Sequence, residues 1–215
     1  MGFELTAADY AEYIRRAYKK INENGDYVTE LDLATGDGDH WSNLNMGFSK
    51  LNEKADELSK LNVSDEMKEI GKTMMSVIGG SSGVLYGSAY LAAAKALKGR
   101  ETIDLNGLYD MLSAMLEAIV QRGQAKEGFK TMIDSLAPAV KTLKSCIDKG
   151  MDEIEICNMV KSAAEEGAEN TKNMEAVRGR ATYQADKGLG HLDPGAVTMS
   201  YQIAVLMDFV KEKIK

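Results

Sequence analysis

Asp32, Asp37 and Asp39 fall within one short stretch, with Gly36 and Gly38 between them and His40 directly after. The glycines let such a stretch turn several carboxylates toward one point without side-chain crowding. Carboxylates gathered this way repel one another unless a cation sits among them. Hard oxygen donors match magnesium, which keeps some waters and takes substrate phosphates as its remaining ligands. A solvated acidic turn with helix caps suits the same residues. Calcium in an EF-hand loop does not, because the spacing differs and the downstream glutamate is missing.

A second segment, Gly79-Gly80-Ser81-Ser82-Gly83, runs directly into a helical pattern. Its backbone N–H groups and two hydroxyls can face an anion at the positive end of a helix, although a plain glycine-serine turn has the same composition. His40 and His191 are the two histidines of the chain, each in a glycine-rich connection beside an aspartate. Both suit a phosphate contact, a phosphohistidine or a structural cap. Arg178, Arg180 and Lys130 bring positive charge near these segments, and a guanidinium fork suits phosphate oxygens. Met132, Leu136 and Val140 read as core, with Met132 also able to border an adenine slot.

The elements that must position these residues are helices. Two prolines in 215 residues and 44% hydrophobic content, rich in Ala, Leu and Met, predict an all-α chain with enough apolar side chains for a real core. Eight periodic patterns follow. The first runs from a capping box at Thr6 and Asp9 through Tyr10, Ile14, Ala17 and Ile21, and stops at Asn24-Gly25. Others are carried by Leu44 to Leu58, Met67 to Ile78, Tyr86 to Leu97, Leu108 to Ile119, Met132 to Leu143 with Pro138 as a potential kink, and Asp152 to Asn170. The eighth opens on Asp193-Pro194, an N-cap acid and a proline at the first helical position. If consecutive helices alternate in direction, the connections after helices one, three, five and seven emerge at one end. The segments from 35 to 40, 79 to 83, 122 to 131 and 178 to 195 all lie in those four connections. One polar, glycine-rich end on an apolar barrel or bundle of eight helices is therefore the expected place for a site.

A formal charge of -7 disfavours nucleic acid as a partner, with no Lys/Arg stripe to offset it. No apolar run is long enough for a membrane span, and the acids near the N-terminus do not suit a signal peptide, so a cytoplasmic location without a membrane partner is expected. Cys146 and Cys157 lack metal-ligand spacing and read as reduced.

Taken together, Leu31-Asp32, Gly36 to His40 with Asn43, Gly79 to Gly83 with Leu85-Tyr86-Gly87, Lys130-Thr131-Met132 with Asp134, and Gly179-Arg180-Ala181 through Gly190 to Gly195 resemble the nucleotide-binding L subunits of dihydroxyacetone kinases. The resemblance covers essentially the whole chain, residues 1–215, as one domain. It implies a single-domain barrel of eight antiparallel helices with ADP or ATP and two magnesium ions in the loops at one end. Asp32, Asp37 and Asp39 are the implied metal ligands. His40, Trp41, Ser42, Asn43, Ser81, Ser82, Gly123, Met132, Arg180, Asp193, Pro194 and Gly195 are the implied nucleotide contacts, and no side chain is implied as a nucleophile. A free-standing chain of this length is similar to the bacterial phosphoenolpyruvate-dependent form. There bound ADP is recharged by an M-type subunit carrying a phosphohistidine, and the phosphoryl group passes to dihydroxyacetone on a K-type subunit. Pairing into a homodimer stays open. Members of the family also act in kinases for other small polyols or as co-regulators of transcription factors. Two residues depart from the family pattern: Trp41 stands where glycine is usual, and Phe129 where an aspartate commonly precedes Lys130.

Overall fold

The computed structural model describes residues 2–215. Among these, ten α-helices follow one another: α1 (Ala7–Glu23), α2 (Gly25–Thr35), α3 (His40–Glu53), α4 (Ala55–Leu58), α5 (Val63–Val77), α6 (Gly80–Ala96), α7 (Leu105–Gly123), α8 (Ile133–Asp148), α9 (Glu153–Asn170) and α10 (Pro194–Lys213). A segment containing two 3-10 turns, Thr171–Asn173 and Arg180–Tyr183, joins α9 to α10. No β-strand is present among the described residues, only an isolated bridge between Leu5 and Ile103 that ties the N-terminal segment to the α6–α7 connection.

Eight helices close a ring: α1 packs on α3, α3 on α5, each later helix on the next, and α10 returns to α1. Side-chain pairs show the alternation of direction. Lys213 near the end of α10 meets Asp9 at the start of α1, Ser64 at the start of α5 donates to the Ala94 carbonyl near the end of α6, and Ser135 at the start of α8 donates to the Ala164 carbonyl of α9. Each helix supplies an apolar stripe to one continuous core, as Tyr10, Ile14, Ala17 and Ile21 do on α1.

Local chemistry sets the boundaries. The Thr6 hydroxyl accepts from Asp9 N–H while the Asp9 carboxylate accepts from Thr6 N–H, which completes the expected capping box. Asn62, Asp104, Asp152 and Asp193 cap α5, α7, α9 and α10 through their side chains. α8 runs through Pro138 without a break.

Two helices differ from the sequence expectation. The chain does not stay open after Asn24-Gly25 but enters α2, which packs outside the ring on α3 and α10. Its buried residues are Gly25, Val28, Asp32 and Thr35, so the inward face carries one large apolar side chain and leaves no apolar stripe to read. The pattern from Leu44 to Leu58 splits at Lys54 into α3 and the single turn α4, where the Lys54 ammonium is drawn to Glu69 and Thr73 of α5.

Candidate functional site

The first side chain of the site comes from α2. Asp32 is 7% exposed, and its Oδ2 accepts from the His40 backbone N–H at 2.9 Å, so the end of α2 and the start of α3 are tied through a carboxylate. The turn between them carries Asp37 and Asp39, and one carboxylate oxygen from each of Asp32, Asp37 and Asp39 lies within 4.8 Å of the others. This is the gathering that the glycine spacing implies, except that Asp32 sits on a helix rather than in the loop. Three hard oxygen donors with no lysine between them fit a magnesium ion that completes its shell with water and phosphate. Arg180 donates to Asp37 Oδ2 at 2.7 Å, linking the cluster to the α9–α10 segment.

The other loops converge on the same cleft. About 200 Å³ of space is lined by Asp32, Asp39 and His40, by Ser81 and Ser82 on α6, by Lys130 to Met132 before α8, by Arg178 to Ala181, and by Asp193 to Gly195 at the start of α10. All four connections expected at one end therefore meet. The helix begins earlier than the glycine-serine run suggests: Gly79 is the N-cap of α6, so Ser81 and Ser82 already lie in its first turn, where unpaired N–H groups face outward. Gly83 is needed there, because a Cβ would come 2.2 Å from the Ile78 carbonyl oxygen.

A second cavity of about 420 Å³ opens from the first and shares Ser81, Leu85, Thr131, Met132, Arg178 and Gly179 with it. Its further lining is largely apolar, from Val84 of α6, Ile119 and Gly123 of α7, Ala125 and Ile133. Charge at one end and an apolar slot at the other are what a nucleotide presents in reverse, phosphates and base.

Buried electrostatics hold the floor and roof. Burial keeps the His40 imidazole below the usual histidine range, against the pull of Asp32 and Asp39, and its Nε2 lies 2.9 Å from Thr198 Oγ1. Burial lifts the Asp193 carboxyl to about 7, although the Ala196 N–H and Lys130 draw it down. Lys130 is not free to meet a phosphate: its Nζ donates to the Thr171 carbonyl at 2.7 Å and the His191 carbonyl at 2.5 Å, clamping the two ends of the α9–α10 segment. Asp134 is buried and accepts from Gly128 N–H at 2.5 Å and Thr131 N–H at 2.7 Å, which shapes the loop that presents Thr131 and Met132.

Several expected contacts sit elsewhere. The Trp41 indole folds away from the cleft: it packs on Gly25 and donates from Nε1 to the Ile21 carbonyl at 3.0 Å. Ser42 is exposed and donates to the Asp39 carbonyl, while Asn43 abuts Gly79, so both support the loops rather than line the space. Phe129 packs on the core with Lys126 over its ring at 5.5 Å. His191 is exposed and outside the cleft lining. Val84, Ile119, Ala125 and Ile133 also line the apolar cavity, carry no motif and read as ordinary core.

Fold and site together define an all-helical barrel whose loops at one end build a carboxylate-lined cleft continuous with an apolar slot. The chain belongs to the DAK2 domain family, whose model matches residues 34–208. It is 32% identical over 208 residues to the ADP-binding subunit DhaL of the PEP-dependent dihydroxyacetone kinase of Escherichia coli, covering 97% of this chain and 99% of that one. With the ADP-binding subunit DhaL of the PTS-dependent dihydroxyacetone kinase of Lactococcus lactis it shares 37% identity over 207 residues, 96% of this chain and 99% of the relative. Among solved structures, the dihydroxyacetone kinase of C. freundii in complex with AMP-PNP and Mg2+ superposes with a TM-score of 0.71 at 26% identity, over 92% of this chain and 33% of that larger one.

Proposed function

We propose that this chain is the ADP/ATP-binding subunit of a phosphoenolpyruvate-dependent dihydroxyacetone kinase. The observation that carries the reading is the meeting of Asp32, Asp37 and Asp39 within 4.8 Å at the polar mouth of a slot that continues into apolar walls. Relatives named as ADP-binding subunits match the chain nearly end to end, and the solved neighbour holds AMP-PNP with Mg2+.

In this reading Asp32, Asp37 and Asp39 hold magnesium, two ions in the full complement. The first-turn N–H groups of α6, with Ser81 and Ser82, receive phosphate oxygens together with Arg178 and Arg180. Leu85, Ile119, Gly123, Met132 and Ile133 enclose the base. Bound ADP accepts a phosphoryl group from the phosphohistidine of an M-type subunit and yields it to dihydroxyacetone on a K-type subunit. The chain's own work is alignment and charge neutralisation, which is most of what phosphoryl transfer needs. In this reading the phosphohistidine belongs to the M-type subunit, and His40 keeps its Nε2 on Thr198. Exposed Leu33, Val177, Tyr183 and Leu189 belong to the helix and segment bordering the mouth and suit docking of partner subunits there.

Denaturing the purified protein and assaying the supernatant for nucleotide tests the first half of the reading. One ADP per chain supports it; no ADP, together with no magnesium-dependent thermal shift on adding ADP, refutes it. Supplying the phosphorylated partner subunits with a panel of ketoses and polyols tests the acceptor, and phosphorylation of something other than dihydroxyacetone would reassign the substrate while leaving the nucleotide site in place.

A further inference from the structure

Below the cleft, buried polar groups form a column that nucleotide and metal contacts leave unused. Thr198 lies in the second turn of α10 and is fully buried. Its Oγ1 stands 2.9 Å from His40 Nε2 and donates to the Gly195 carbonyl at 3.2 Å. One turn further, Gln202 donates from Nε2 to the Thr198 carbonyl at 3.0 Å and to the Tyr86 hydroxyl at 2.8 Å, and the Tyr13 hydroxyl donates to the Gln202 carbonyl at 3.4 Å. A threonine inside a helix commonly bonds back to its own preceding turn, which accounts for Gly195. It does not account for an imidazole nitrogen from α3 brought into hydrogen-bonding distance across the barrel interior. In so dry a place a polar group without its partner is costly, and a satisfied one fixes orientation.

The upper side of His40 is held as well, through its backbone N–H on Asp32. With Nε2 engaged below, Nδ1 is the ring nitrogen left for a ligand in the cleft that His40 lines. We propose that Thr198 is a positioning residue: its buried hydroxyl engages His40 Nε2 and so presents Nδ1 to the bound ligand, while Gln202 and Tyr86 fix the turn that carries Thr198. The ligand's identity as magnesium-bound ADP rests on the proposed function; the His40–Thr198 contact does not.

The test compares Thr198→Val, which keeps the shape and deletes the hydroxyl, with Thr198→Ser, which keeps the hydroxyl. Protein carrying 15N-labelled histidine reports the His40 ring nitrogens directly, with exposed His191 as the internal reference, and calorimetry reports affinity for ADP with magnesium. Thr198→Val is expected to move the His40 ring signals and to weaken binding about tenfold, the scale of one lost hydrogen bond. Thr198→Ser is expected to restore both, within about twofold on the same scale. Parent-like ring signals and affinity in the valine variant overturn the proposal, as does a folded serine variant that fails to restore them. Should the valine variant not fold, the unmodified chain still decides: one fixed His40 tautomer is required, and an exchanging mixture of both refutes the assignment. If the unmodified protein binds no ADP at all, the nucleotide reading falls and the ring signals alone judge Thr198.

Discussion

Among the single side chains of the cleft, the carboxylates differ in what they risk when changed. Asp37 has a side chain 38% exposed and faces Arg180 across the mouth, whereas Asp32 is buried and supports the start of α3. Replacing Asp37 therefore probes the cluster without undoing the fold. Asp37→Asn is expected to lower magnesium-dependent ADP affinity by more than about tenfold, since it removes a charged ligand. The unfolding free energy of the nucleotide-free protein should move by less than about 0.5 kcal/mol, because a solvent-exposed ion pair contributes little. Calorimetry with and without magnesium, beside a denaturant titration, measures both, and undiminished affinity would take Asp37 off the ligand set.

At the level of elements, the cleft depends on how closely helix ends approach. Gly83 in the first turn of α6 touches the Ile78 carbonyl region, so Gly83→Ala forces the α5–α6 turn apart. A cost of roughly 1–3 kcal/mol in stability is expected, as for other overpacked sites, with weakened ADP binding because Ser81 and Ser82 share that turn. Chemical denaturation and calorimetry check it; an alanine variant as stable as the parent would mean that the turn yields freely. Trp41 has an opposite role. Its indole braces the α1–α2 junction from outside the cleft, so Trp41→Phe should lower stability through the lost Ile21 bond yet leave ADP affinity within about twofold. A large loss of affinity with unchanged stability would return Trp41 to the nucleotide contacts.

Across the whole molecule, one group stands out for its setting. Glu66 on α5 is fully buried, both of its carboxyl oxygens lack a hydrogen-bond partner, and burial pushes its pKa from the ordinary 4.5 up to about 9. Between those values the folded chain keeps a proton that the unfolded chain has released, so this group lowers stability as pH rises through that window. The limiting slope is about 1.4 kcal/mol per pH unit. Glu66→Gln removes the titration, and denaturant unfolding at pH 6 and pH 8.5 should show a flatter dependence than in the parent. An equal slope in both would show that Glu66 is not held protonated in the barrel. No helix among the described residues is long and apolar enough to cross a membrane.

Local chemistry along the chain was enough to read much of this protein. Periodic apolar positions gave the barrel helices, Thr6 with Asp9 and Asp193 with Pro194 gave their starts, and glycine beside acid, hydroxyl and cation marked the loops of the site. Tertiary structure alone decided the rest, because it depends on what lies across space. α2 was hidden since its inward face carries Gly25, Asp32 and Thr35, which are buried by neighbours rather than by their own hydrophobicity. Ile119 shares one apolar periodicity with residues that never meet the slot, and Lys130 reads as a free cation until two distant carbonyls close on its ammonium. Whether Trp41 enters the cleft or turns from it depends on the space above Gly25, which no spacing along the chain records.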